Sequence, residues 1–172
     1  LTFMPWAPCD CPQRFLHIGV SGSYQYDLDQ LRYRARPEVC IGPRIANTGT
    51  FDAEEAFLFG GEFAFGFDRW HVQGEWIGAQ VTSEVEDDPM FSGWYVEASY
   101  MLNGPTRPFK RQYATFDKVK PCKNFLAKDC CGPGAFELAA RYSYLDLNDK
   151  AIIGNEVSDI TVGLNWYLNP NT

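Results

Sequence analysis

The stretch Phe136-Glu-Leu-Ala-Ala-Arg-Tyr-Ser-Tyr144 alternates apolar or aromatic side chains with small or polar ones. A period of two residues is the signature of a β-strand whose two faces meet different surroundings. The same alternation recurs in six further stretches, so the sequence predicts an all-β protein of about seven strands. These further stretches are 15–26, 31–41, 57–67, 70–76, 94–102 and 160–168.

The predicted strands are long for a soluble protein. Soluble strands average about 5–6 residues, whereas tilted strands that cross a bilayer need about 9–11. Aromatic residues also gather near the ends of the apolar faces, as they do at the two interfaces of outer-membrane barrels. Because no segment with helical periodicity separates the strands, we expect them to pair antiparallel. Their length and their aromatic ends favour a transmembrane β-barrel. A soluble sandwich or barrel with an aromatic core is the alternative.

Composition excludes several classes of protein. The chain has 172 residues, which fits a single domain over 1–172, and its aromatic content of 16 % argues against disorder. The formal charge of −7 argues against a nucleic-acid partner. No apolar run approaches the roughly 18 residues of a membrane helix.

The N-terminus carries no leader pattern. The chain begins with Leu1 and lacks a basic start followed by an apolar stretch. We therefore expect either that a signal peptide has been removed or that this chain is a segment of a longer protein.

Positive charge is concentrated in residues 104–133. This basic connection has seven Lys and Arg against two Asp, a formal charge of +5 within an acidic chain. Connections of this length are usually functional or disordered, and Lys and Arg in a pore raise the local concentration of anions. We predict that it lines an anion path, with a solvated linker as the plainer alternative. The candidate residues are Arg107, Lys110, Arg111, Lys118, Lys120 and Lys123.

Three arginines lie on one side of the predicted strand 31–41, namely Arg32, Arg34 and Arg36. Guanidinium groups bind phosphate or carboxylate through two parallel hydrogen bonds, so we add these residues to the candidate anion path. The alternative is that they face solvent and pair with glutamates of neighbouring strands. The glutamates in question are Glu62, Glu75 and Glu97.

The six cysteines permit three disulfides, although their spacing does not determine the pairing. Disulfide-stapled loops would fit an extracytoplasmic compartment. The spacing does not match a zinc knuckle, so we expect no metal site. The candidate disulfide cysteines are Cys9, Cys11, Cys40, Cys122, Cys130 and Cys131.

Recognised catalytic motifs are missing from the sequence. His17 and His71 are isolated on predicted strands, and neither a nucleophile elbow nor a phosphate-cradling loop occurs. We therefore predict no enzymatic activity, no catalytic residues and no cofactor. The acidic run Glu84–Asp88 lacks the spacing of a calcium loop, so a solvated loop is expected there.

Several motifs resemble the phosphate-selective porin O and P family of bacterial outer membranes. The similarity covers roughly Leu31 to Thr172 and is tightest in Gly134-Ala-Phe-Glu-Leu-Ala-Ala-Arg-Tyr-Ser143. The other motifs, in chain order, are Arg34-Ala-Arg-Pro-Glu38, Asn47-Thr-Gly49, Val72-Gln-Gly-Glu75, Gly93-Trp-Tyr-Val-Glu97, Tyr100-Met-Leu102, Arg107-Pro-Phe-Lys110, Phe116-Asp-Lys-Val-Lys-Pro121, Leu145-Asp-Leu-Asn148 and Gly163-Leu-Asn-Trp-Tyr-Leu-Asn-Pro-Asn171.

The resemblance implies a 16-stranded barrel, usually trimeric, that passes phosphate and related anions and is narrowed by inward-folded cationic segments. The seven strands are then part of a larger barrel, of which this chain is the C-terminal part or an incomplete sequence. Lipid and small anions are the implied partners. Treating 27–30 and 68–69 as short periplasmic turns predicts outer loops at 42–53, 84–90 and 148–155. It also puts the basic connection at 104–133 on the periplasmic side, from which it folds inward.

The function predicted from the sequence is an outer-membrane porin that lets anions, phosphate among them, diffuse passively. Two alternatives remain at this point. One is a secreted, soluble all-β binding or structural protein with disulfide-stapled loops. The other is an outer-membrane barrel that serves as a scaffold and does not conduct.

Overall fold

The computed structural model describes residues 1–11, 13–39, 41–125 and 132–171. Within these residues the secondary structure consists of β-strands, and every strand pair is antiparallel. No helix in the described part of the chain has the length and hydropathy needed to span a membrane.

Seven strands of the described residues form one continuous sheet. Four of the six junctions keep an unbroken register over at least ten residue pairs, and each of the other two contains one irregularity. All strands are numbered along the chain, and those of this sheet are, in their order across it, β1 Thr2–Trp6, β2 Phe15–Gln25, β7 Glu55–Phe67, β8 Trp70–Thr82, β9 Met90–Met101, β12 Ala135–Asp149 and β13 Ile152–Tyr167.

The register sorts the side chains onto two faces, as the alternation predicts. For example, Gln73 pairs with Glu97, and Glu97 with Arg141, so these three side chains share one face. We call this the polar face and the opposite one the apolar face. The polar face carries His17, Ser21, Glu62, His71, Gln73, Glu75, Glu97, Glu137, Arg141, Ser143, Thr161 and Asn165.

The apolar face is aliphatic and aromatic and is left open by the other residues that the structure describes. On β13, Ile160 is 78 % exposed, Val162 68 % and Leu164 62 %. Aromatic pairs lie near its strand ends, including Trp70 and Tyr100 with ring centroids 4.7 Å apart. A soluble domain buries such a face, so this surface needs an apolar environment outside the described residues.

The predicted strand over 31–41 is wrong. Among the described residues of that stretch, Leu31 pairs with Phe51, and Arg34 and Ala35 pair with Asn47 and Ala46. Both short pairings stay outside the seven-stranded sheet. Pro37 lacks the N–H group that a central strand must donate. The short strands of the connections are β3 Gln30–Leu31, β4 Arg34–Ala35, β5 Ala46–Asn47, β6 Phe51–Asp52, β10 Phe109–Lys110 and β11 Thr115–Phe116. The sheet gains β1 instead, which the alternation did not reveal.

The pairing also assigns each connection to an end of the sheet. Gln25 pairs with Ala56 and Phe67 with Trp70, so the described residues 26–39 and 41–54 and the turn at Asp68–Arg69 lie at opposite ends. The prediction that 27–30 and 68–69 are turns on the same side is therefore wrong. Residues 83–89 and 150–151 lie at the same end as 26–39 and 41–54, and residues 102–125 and 132–134 lie at the end of the Asp68–Arg69 turn.

Two small cores lie on the polar face, one near each end. The larger core combines Ala46, Phe51 and Ala53 of the connection 26–54 with Val81, Phe91 and Leu147 of the sheet. The smaller core joins Val119 of the basic connection to Met101 and Ala135. Both long connections therefore fold back over the polar face.

Candidate functional site

The connection 26–54, which we call the arginine loop, packs across the polar face, and one side of the loop contacts the sheet. The side chains of Leu31, Tyr33 and Ala35 pack against the larger core. The ring of Tyr33 contacts that of Phe91 edge-on, with the two ring centroids 5.5 Å apart. Alternation in an extended segment sends the intervening side chains the other way. Arg32, Arg34 and Arg36 are therefore exposed on the far side of the loop.

A fourth arginine joins these three, and it lies outside the alternating stretch 31–41 from which they were predicted. The hairpin β4–β5 returns the chain beside itself, so Arg44 lies close to the other guanidinium groups. The charge of Arg34, followed by desolvation and the charges of Arg36 and Arg32, lowers the pKa of the exposed Arg44. Arg32 is held by a hydrogen bond from its Nε to Asn47 Oδ1 at 2.9 Å. The signal available in the sequence was the pair of prolines, Pro37 and Pro43, which favour a turn between two arginine-bearing segments.

Glu38 fastens the arginine loop to the far side of the sheet. Its Oε1 lies 2.7 Å from Arg141 Nε and accepts a hydrogen bond from Ser143 Oγ at 2.7 Å. Thr161 Oγ1 donates to Glu38 Oε2, and the backbone N–H of Glu38 donates to Asp159 Oδ2 at 3.3 Å. Burial raises the pKa of Glu38, but the hydrogen bonds and the Arg141 charge outweigh it, so the pKa lies below its usual value.

The basic connection covers the other end of the polar face. Its Phe109 stacks on the fully buried Phe15 with ring centroids 4.0 Å apart, and Phe116 meets His71 edge-on at 5.6 Å. The strands β10 and β11 pair with each other and carry these two aromatic rings. Apolar contacts therefore hold the segment against the sheet.

Two of the candidate cations in this segment already have acidic partners. Arg107 Nη1 lies 3.5 Å from Glu137 Oε1, and Lys110 Nζ lies 2.9 Å from Asp117 Oδ1. The hydrogen bond from Lys110 is the main cause that lowers the pKa of Asp117. Arg111 donates to the carbonyl of Pro8 at 3.4 Å. The side chains of Lys118, Lys120 and Lys123 are exposed.

The polar face between the two cationic segments carries several carboxylates. Glu62 and Glu75 face each other directly across β7 and β8, and His17 Nε2 lies 3.0 Å from Glu62 Oε1. Glu97 lies 4.0 Å from Arg141 Nη1. A cavity of about 300 Å³ opens here under the basic connection, and its lining includes His17, Glu62, Gln73, Tyr95, Arg107 and Thr115.

The cysteines do not staple the loops where the structure describes them. Cys9, Cys11 and Cys122 are free thiols, so the predicted disulfides are wrong for these three. Cys9 and Cys11 are only two residues apart, which is too close for an ordinary loop staple, and Cys122 lies in a different connection. Cys40, Cys130 and Cys131 lie outside the described residues, so the prediction for them stands as a prediction.

The acidic run Glu84–Asp88 forms a loop with internal hydrogen bonds. Ser83 N donates to Asp88 Oδ1 at 2.9 Å, and Glu86 N donates to Ser83 Oγ at 3.1 Å. Among residues 1–11, 13–39, 41–125 and 132–171, no group of three His, Cys, Asp or Glu side chains is placed to hold a metal ion.

Comparison with known proteins gives consistent similarities. The family described as "Phosphate-selective porin O and P" matches residues 4–172. An uncharacterized protein of Caulobacter vibrioides is 34 % identical over 162 residues, covering 90 % of this chain and 31 % of that protein. Porin O of Pseudomonas aeruginosa is 28 % identical over 196 residues, covering 95 % of this chain and 43 % of that protein. The chain thus spans less than half the length of these curated relatives.

Proposed function

This chain belongs to the phosphate-selective porin O and P family, and from that premise we propose that it supplies part of the wall and the constriction of an anion-passing porin. Family membership makes it a bacterial outer-membrane protein. It also favours a channel over an enzyme, and it removes the alternative of a secreted soluble protein.

The observation that carries the proposal is the arrangement of two cationic segments over one face of a sheet whose other face is apolar. Lipid would meet the open apolar face, where Ile160, Val162 and Leu164 are exposed. Water and ions would meet the polar face. In a water-filled pore, cations close to the path attract anions and repel cations.

The seven strands described here do not make a closed barrel, so the barrel itself is part of the proposal. An open sheet edge in lipid would leave backbone N–H and C=O groups without partners, which a bilayer does not tolerate. We propose that β1 and β13 pair with further strands to close a barrel, with 16 strands and a trimeric assembly as the family resemblance implies. The short coverage of the relatives is consistent with additional strands.

Within this barrel the arginine loop would supply the main anion contacts. Its four arginines repel one another, and an anion among them would relieve that repulsion. Lys118, Lys120 and Lys123 of the basic connection would add a second cationic zone. Arg107 and Lys110 contribute less, since each already has an acidic partner. Phosphate is the proposed preferred anion on the strength of the family's description.

The first test is the zero-current potential of the native, detergent-extracted protein in a planar bilayer under a KCl gradient, followed by added phosphate. We expect an anion-selective potential and a partial block of chloride current by phosphate. A cation-selective potential would refute the anion path. Protein that inserts but does not conduct would favour the scaffold alternative.

A further inference from the structure

Strand β12 contacts both the basic connection and the arginine loop. Glu137 and Arg141 both lie on the polar face of β12, four residues apart, with Ala139 between them. At about 3.3 Å per residue this separates them by roughly 13 Å along the strand. Glu137 meets the basic connection, and Arg141 meets the arginine loop.

Glu137 is completely buried, and its carboxylate is fully partnered. Tyr167 Oη donates to it at 2.6 Å, Ser99 Oγ at 2.7 Å and Asn165 Nδ2 at 3.1 Å. These three neighbours come from β9 and β13, so they fix the carboxylate within the sheet. Burial of an ionised group is costly unless it is paired and hydrogen-bonded.

The positive partner of this carboxylate comes from the basic connection. Arg107 Nη1 lies 3.5 Å from Glu137 Oε1, and its guanidinium lies 4.8 Å from the centroid of the Phe116 ring. Arg107 therefore joins the sheet to the aromatic pair that follows it in the connection. The positive charge of Arg107 is therefore paired with Glu137 and is not available to a mobile anion.

Arg141 is held in a comparable way. Its guanidinium lies 3.9 Å from the centroid of the Tyr95 ring and contacts Glu97 of the neighbouring strand at 4.0 Å. These contacts orient it on the sheet. Glu38, from the middle of the arginine loop, then approaches it to 2.7 Å.

We propose that Glu137 and Arg141 are positioning residues that hold the two cationic segments at fixed places on the polar face, each residue holding one segment. The consequence of this role is a constriction of fixed geometry, and that consequence rests on the proposed porin function. The holding itself is a property of the folded chain. Neither residue touches the anion, and each acts through a partner in its segment.

The test is limited digestion with trypsin of the full-length protein in detergent micelles, comparing Glu137→Gln with Arg141→Gln. We expect Glu137→Gln to speed cleavage after Lys110, Arg111 and Lys118 roughly ten- to a hundredfold, the range for loss of a charged hydrogen bond. Cleavage of the arginine loop after Arg32, Arg34 and Arg44 should stay at its native rate. Arg141→Gln should give the reverse pattern.

The matched control is Ala139→Ser, which lies between the two positions on the same face and belongs to neither ion pair. It should leave both cleavage rates within about twofold of native. Heat-modifiable migration on a gel establishes that each variant is folded. If Glu137→Gln does not fold, Arg107→Gln replaces it, because that variant leaves the three hydrogen bonds within the sheet in place.

Selectivity measured on the same samples separates this inference from the function on which it rests. Segment-specific cleavage with a fall in anion selectivity supports both. Segment-specific cleavage in a protein that never conducts supports the positioning role and refutes the porin function. Equal cleavage of both segments in either folded variant overturns the positioning role, even where the native protein passes anions.

Discussion

Glu38 and Arg141, 103 positions apart in the chain, form an ion pair with Oε1 and Nε 2.7 Å apart. The first residue belongs to the arginine loop, which leaves the sheet after β2, and the second belongs to β12 near the opposite edge. The pair therefore draws the loop across the strands that lie between. It determines where the four arginines stand relative to the polar face.

The attachment of the arginine loop should depend on pH through Glu38. Because its pKa lies below the ordinary value of 4.5, the carboxylate stabilises the folded loop fully above that value. This stabilisation is lost as the pH falls through the lowered pKa of the folded state. We expect hydrogen exchange in residues 31–39 and 41–47 to rise relative to β12 in that acid range.

The control for this prediction is Glu38→Gln, which carries no titrating group at that position. Its loop should exchange faster than native at neutral pH and show no further acid step. A native protein whose loop exchange follows that of β12 at every pH would contradict the role of Glu38.

Charge reversal in the basic connection should reverse the ion preference. Replacing Lys110, Lys118, Lys120 and Lys123 with Glu changes a segment of formal charge +5 by eight units. We expect the zero-current potential under a KCl gradient to change sign. Lys150→Glu, in the short turn between β12 and β13, is the single-site control and should keep the native sign. Unchanged selectivity in the fourfold variant would remove the basic connection from the mechanism.

The lysines of that segment should not contribute equally. Lys110 already pairs with Asp117, whereas Lys118, Lys120 and Lys123 are exposed. The threefold variant that spares Lys110 should therefore produce most of the shift in potential. A shift that appears only when Lys110 is included would contradict this ranking.

Arg44→Gln should weaken block by phosphate without destabilising the protein. Arg44 is exposed and repelled by Arg34, Arg36 and Arg32, so its removal relieves like-charge repulsion. Two unit charges roughly 7 Å apart in water interact strongly enough for about a threefold change in affinity. Phosphate titration of the chloride current measures this, and Arg44→Lys should retain most of the native affinity. A native phosphate response in Arg44→Gln would exclude this arginine from the anion path.

Phe15→Ala should destabilise the end of the sheet that carries the basic connection. Phe15 is fully buried against Phe109, and the space for its ring exists because Gly66, its cross-strand partner, has no side chain. Loss of a buried Phe costs about 3–5 kcal/mol in free energy of unfolding. Urea unfolding in micelles measures this cost. Tyr113→Ala, which removes an aromatic ring that is 69 % exposed, should change it by under about 0.5 kcal/mol.

Much of the sheet followed from local pattern. Strands β2 and β7 begin and end within two residues of their alternating stretches, whereas β8, β9, β12 and β13 extend four to eight residues beyond theirs at one end. Glu137 and Arg141 fall on the predicted polar side. Local alternation cannot reveal whether a stretch pairs with the sheet or with itself. For that reason residues 31–41, which alternate as regularly as any strand, were assigned wrongly.

The sequence predicts which kinds of residue form the candidate site, but not which residues contact one another there. Arg32, Arg34, Arg36 and the lysines of the basic connection were identified from charge, but Arg44 and Glu38 were not. The partners of Glu137 lie 28 to 38 positions away along the chain, and those of Glu38 lie over a hundred positions away. No spacing rule links residues so distant, because chain folding alone brings them together.

The sequence by itself determined which side chains share a face, because the two-residue period of a β-strand is a local property of the backbone. It also determined that the chain is acidic overall and basic in one connection. Tertiary structure alone decided that the arginine loop leaves the sheet and returns over it, and that Arg107 binds the buried carboxylate of Glu137. The reason is that ion pairing and burial depend on distance in space, and that distance is set only when the strands have paired and the connections have packed.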